Sequence, residues 1–165
     1  MIPDEIVQET WQEVARFEDK QARKEMTRLS KRQTELLAFV VVETEELSPE
    51  AHELAVYVFF VVLRIFEKGG TVARIPDEAI LQQFQKNTDE LERLSGAHDR
   101  FLERAAVDQV SRQPHVMRYV VEALMESGEG PDSVDLTEEE LGILFLVFKT
   151  AVDLLDAALE PRHKR

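Results

Sequence analysis

Leu54-Ala55-Val56-Tyr57-Val58-Phe59-Phe60-Val61-Val62-Leu63-Arg64-Ile65-Phe66 is the stretch on which the fold turns. Twelve of its thirteen residues are hydrophobic, Arg64 alone excepted, so it belongs in the middle of the molecule with neighbours on most sides. Its β-branched and aromatic residues would also suit a buried strand, and periodicity cannot separate the two in so short an apolar run. The flanks speak for a helix. Ser48-Pro49-Glu50 combines a cap, a first-turn proline and an acid, and Gly69-Gly70 closes the stretch.

An internal repeat decides the matter. Ile2-Pro3-Asp4-Glu5 recurs as Ile75-Pro76-Asp77-Glu78, and Trp11-Gln12 is answered by Phe84-Gln85 at the same shift of 73. At a shift of 80, Arg32-Gln33, Phe39, Val40 and Val41 are answered by Arg112-Gln113, Tyr119, Val120 and Val121. At a shift of 89, Leu47-Ser48, Glu50, Leu54, Val58 and Phe59 are answered by Leu136-Thr137, Glu139, Ile143, Val147 and Phe148. The growing shift implies insertions in the second half, where Ser95-Gly96 and Gly128-Glu129-Gly130-Pro131-Asp132-Ser133 carry loop chemistry. Thr137-Glu138-Glu139-Glu140 is a capping box, followed at helical spacing by Leu141, Leu144, Phe145, Phe148, Val152 and Leu155. Its duplicate, Leu54 to Phe66, is then helical too.

The expectation is an all-α, single-domain helical bundle of about six or seven helices over residues 1–160. Two tandem three-helix repeats, 2–68 and 75–157, share one core around a pseudo-two-fold axis, because neither could bury so apolar a helix alone. In the first, a helix starts near Pro3 and the pattern runs on to Val41, as one bent helix or as two joined near Ser30 to Thr34. In the second, an extra break divides Pro76 to Leu94, His98 to Gln109, Pro114 to Met125 and Thr137 to Leu159. The basic tail 161–165 is expected to be disordered.

Composition narrows function mainly by exclusion. Zero cysteines remove disulfides, thiolate metal sites and a cysteine nucleophile. A net charge of −13 opposes nucleic acid at long range, and no apolar run approaches the length of a membrane span, so a soluble cytoplasmic protein is expected. No paired Glu-x-x-His motif, glycine-rich phosphate loop or nucleophile elbow appears, so no metal and no cofactor is expected. Arg93 and His98 stand at a spacing used by some helical ribonucleases, but thirteen arginines and four histidines produce such a pair by accident.

Three polar features remain. Arg32-Gln33 and Arg112-Gln113 precede an apolar helix in each half: either they line a ligand site between the repeats, or the glutamines satisfy backbone groups at helix junctions while the arginines pair locally. Arg64, alone in the most apolar helix, needs a counter-charge, and the equivalent position carries Asp153, so the two would meet across the axis. Arg16, Lys20, Lys24, Arg28 and Arg32 stand four apart, and the segment 16–32 carries +4, leaving −20 for the 143 residues outside it and the tail. Such a ladder is compensated from within, by Glu43, Glu45 and Glu46 or by acids of the second half, or else it is a docking face for an acidic partner protein or an anionic polymer. The sequence thus points to a non-catalytic binding protein with a protein partner, and leaves room for a homodimer. The alternative is a small-ligand binder or metal-independent enzyme whose pocket is lined by Arg32, Gln33, Arg112, Gln113, Arg64 and Asp153.

Overall fold

The computed structural model describes residues 1–95, 112–126 and 135–161. Among them are seven helices: α1 (Asp4–Ala15), α2 (Asp19–Arg32), α3 (Thr34–Thr44), α4 (Pro49–Gly69), α5 (Asp77–Ser95), α6 (Pro114–Glu126) and α7 (Glu138–Ala158). Two short strands, β1 (Gly70–Val72) and β2 (Leu159–Pro161), extend α4 and α7. The expected helix at 98–109, the Arg93–His98 pair, the loop at 128–133 and the tail beyond 161 lie outside the described residues. No described helix is long and apolar enough to cross a membrane.

The helices start where the capping residues direct. Ser48 accepts the Ala51 amide at 3.2 Å, with Pro49 in the first turn of α4. Thr137 accepts the Glu140 amide at 3.0 Å while the Glu140 carboxylate accepts the Thr137 amide at 3.1 Å, which is a complete capping box. The other oxygen of Glu140 accepts the Ser48 amide at 3.0 Å, so one buried carboxylate ties together the starts of the two most apolar helices. Backbone hydrogen bonds from Thr137 and Ser48 hold that carboxyl below its ordinary range.

One hydrophobic cluster runs through both halves of the chain. At its centre α4 packs on α7, burying Val58, Phe59, Val62 and Phe66 from one side and Leu144, Phe148, Ala151 and Leu155 from the other. Around this pair, α1 and α3 lie on α4, and α5 and α6 lie on α7. Further contacts join α1 to α6 and α3 to α5, the latter through an edge-on Phe39–Phe84 contact at 5.0 Å. The strands pair antiparallel, Gly70 with Pro161, Thr71 with Glu160 and Val72 with Leu159. A side chain on Gly70 would place its Cβ 2.2 Å from the Glu160 carbonyl oxygen, so only glycine admits this approach.

The first helix ends earlier than its pattern suggests. The chain breaks at Arg16–Glu18, although no proline or glycine stands there, and Glu18 is extended ahead of α2. The break lets Phe17 turn under Arg64, whose guanidinium carbon lies 5.0 Å from the ring centroid. The first half therefore has four helices, not three, and α2 is its loosest member: Leu29 is its only buried residue.

Candidate binding site

The two glutamines of the Arg-Gln pairs are buried, and each holds backbone in the other half of the chain. Gln33 accepts the Ile75 amide at 3.2 Å and donates to the Ala73 carbonyl at 2.9 Å. Gln113 accepts the Ile2 amide at 2.9 Å and donates to Asp156 at 2.8 Å. Each amide thus fastens an Ile-Pro-Asp-Glu segment just ahead of its helix. The arginines stay exposed, Arg32 at 3.6 Å from Glu67 and Arg112 at 3.9 Å from Asp156. Arg32 and Gln33 line a crevice of about 30 Å³ that none of Arg112, Gln113, Arg64 and Asp153 reaches. The six candidate ligand residues are not brought together.

Arg64 and Asp153 do not meet. Arg64 turns outward from α4 and donates to Glu13 on α1 at 2.7 Å and to Glu25 on α2 at 2.8 Å, while Lys68 donates to Glu13 at 3.0 Å. Burial pushes the Glu13 carboxyl up, but hydrogen bonds from Lys68 and Arg64 outweigh it and hold the group below its ordinary value. Glu25 is lowered chiefly by its hydrogen bond from Arg28, with Arg64 adding to it against burial. Asp153 instead accepts from Lys149 at 2.6 Å, Asn87 at 3.2 Å and Gln83 at 3.4 Å, and Asn87 also donates to Thr150 at 3.1 Å. Each residue serves the helix packed against its own half.

Two rungs of the cation ladder, Arg28 and Arg32, are compensated, but not by the acids expected. Arg28 donates to Glu67 at 2.6 and 3.0 Å and to Glu25 at 2.8 Å, and these hydrogen bonds raise its pKa. No ion pair among the described residues joins the ladder to Glu43, Glu45 or Glu46. The reason is rotational: Arg28 and Arg32 face the end of α4 where Glu67 stands. Arg16, Lys20 and Lys24 point to solvent and have no ion pair among the described residues, as do Arg23 and Lys31.

What the sequence reading missed is the space beside α2. Only Ala22, Met26 and Leu29 of its fourteen residues are apolar, too thin a stripe to seal against the broad apolar face of α4. A cleft of about 570 Å³ opens between the end of α1, α2 and α4, walled by Val14, Phe17, Met26, Val56, Tyr57 and Phe60. Arg64 and the carboxylates of Asp19, Glu25 and Glu53 are its charged lining, and His52, whose Nδ1 lies 2.9 Å from the Thr44 hydroxyl, stands beside Glu53. On the other side of α2, a groove of about 530 Å³ lies against α3, with Thr34, Leu37 and Val41 along one wall and Thr27, Ser30 and Lys31 along the other. Met26, Val56 and Phe60 line both openings, and cleft and groove together are the apolar trough beneath α2. The count of apolar residues in α2 against those in α4 was the available signal.

No group of three or more His, Asp or Glu placed to hold a metal occurs among the described residues. Comparison with known protein families, with curated proteins and with solved structures finds no significant match.

Proposed function

We propose that the chain is a non-catalytic, cytoplasmic binding protein, built from two copies of one helical unit, that takes a protein partner in the trough beneath α2. The observation that carries the binding reading is the 570 Å³ cleft with apolar walls and a charged edge, a volume in the range of small-molecule and side-chain pockets. The net charge of −13 argues against nucleic acid as that partner.

The duplication is supported by paired contacts. Gln33 holds the Ile75 amide and Gln113 holds the Ile2 amide, an exchange in which both donors and both acceptors are equivalents in the repeat. At the shift of 89, Gly70, Thr71 and Val72 correspond to Leu159, Glu160 and Pro161. In the ribbon, Thr71 therefore faces its own equivalent, and the two outer pairs exchange with each other. A two-fold axis through the Thr71–Glu160 pair would produce this register. The packing partners follow suit: α1 on α4 matches α5 on α7, and α3 on α4 matches α6 on α7.

The binding reading is tested with the apolar fluorophore anilinonaphthalene sulfonate. Saturable binding at one site per chain is expected, weakened about tenfold by Met26→Glu with the thermal midpoint nearly unchanged, because Met26 is partly exposed where cleft and groove meet. Phe60→Ala, which enlarges the cleft, is a second variant. Absence of saturable binding, or binding indifferent to both substitutions, overturns the reading.

A further inference from the structure

We propose that the partner is an acidic amphipathic helix of another protein, seated in the groove between α2 and α3 with its apolar stripe on Leu37, Val41 and Phe60 and its acidic flank along α2. This names the partner class for the binding reading above and rests on it.

The groove has an apolar floor and one cationic lip. Leu37, Val41, Val56 and Phe60 supply the floor. Beyond it the outer face of α3 continues apolar, with Ala38 exposed and Val42 57% exposed. Lys31 lies on the α2 wall itself. Arg23 precedes Thr27 and Ser30 of that wall by four and seven residues, Lys20 precedes Thr27 by seven, and Lys24 precedes Lys31 by seven, so all four cations rise along the same side of α2.

None of the four has an ion pair among the described residues, in a chain whose net charge is −13. Like charges at this spacing repel within an isolated helix. The inner face of α2 resolves the same problem with Glu25 and Glu67; the outer face is left for a partner. Fourteen residues of α2 make a lip of about 21 Å, the length of about four turns of an opposing helix. An apolar stripe at i, i+3, i+4 and i+7 fits such a floor, and carboxylates beside the stripe meet the lip.

The experiment uses the full chain and two fluorescent helical peptides of identical leucine stripe, one flanked by glutamates and one by lysines, read by anisotropy at low and at physiological salt. Tighter binding of the glutamate peptide is expected, weakened by salt and about tenfold by the triple reversal Lys20→Glu, Arg23→Glu, Lys24→Glu, while dye binding in the cleft is retained. Val41→Arg is expected to abolish it with the fold intact. Equal affinity for both peptides, or indifference to charge reversal, overturns the acidic-helix proposal while dye binding leaves the cleft reading standing. Failure of dye and both peptides together sinks the cleft reading. A dimer in sedimentation that the triple reversal disperses would make a second copy of this chain the occupant and overturn the proposal equally.

Discussion

Arg64 on α4 and Asp153 on α7 stand 89 residues apart, the shift that pairs Leu47-Ser48 with Leu136-Thr137, yet their surroundings differ. Asp153 is neutralised one turn away by Lys149 on its own helix, and neutral amides of α5, which packs on α7, complete its shell. Arg64 has no partner on α4. It reaches Glu13 and Glu25 on separate helices, and the chain breaks between those helices to let Phe17 lie beneath it. Asp153 is satisfied from its own helix and one neighbour, whereas Arg64 is satisfied from two neighbours and stands at the edge of the cleft between them.

Removing Asp153 should break the comparison most sharply. Asp153→Ala leaves Lys149 buried without its carboxylate and is expected to cost about 3 kcal/mol, measured by urea unfolding of the full chain. Replacing the glutamines sharpens it: Gln33→Leu and Gln113→Leu each strand a buried amide hydrogen and should cost about 2 kcal/mol apiece, the near-equality being the signature of equivalent roles. Clearly unequal costs would count against duplication. Arg64→Met should cost only about 1 kcal/mol, since Lys68 still serves Glu13 and Arg28 still serves Glu25.

The smallest effect is on pH dependence. Glu13, Glu25 and Glu140 have lowered pKa values in the fold, so their contribution is full above about 4.5 and is lost as pH falls through those lowered values. Arg64→Met removes part of the lowering at Glu13 and Glu25 and should make the acid limb of a stability–pH curve shallower, whereas Asp153→Ala should leave the contribution of these three groups in place.

Much of the helical layout was legible because it depends on near neighbours. Ser48-Pro49 and Thr137 to Glu140 mark the starts of α4 and α7 through contacts three residues long. The Gln33 and Gln113 pair was visible as a polar exception ahead of apolar helices. Their partners were not, because Ile75 and Ile2 lie 42 and 111 residues away and no local rule connects them. The break at Arg16–Glu18 was hidden for a related reason: the contact made there, Phe17 against Arg64, is with a residue far along the chain.

By itself, then, the sequence determined the helical class, the two most apolar helices and the positions of the polar exceptions, since capping and periodicity act over a few residues. Only the tertiary structure decided which way each exception turned. Arg64, Asp153 and Arg28 each had several acids or bases within a side chain's reach of some conceivable packing, and rotation of one helix by a fraction of a turn selects among them. The trough beneath α2 follows from those selections, because a volume between helices belongs to no segment of the chain.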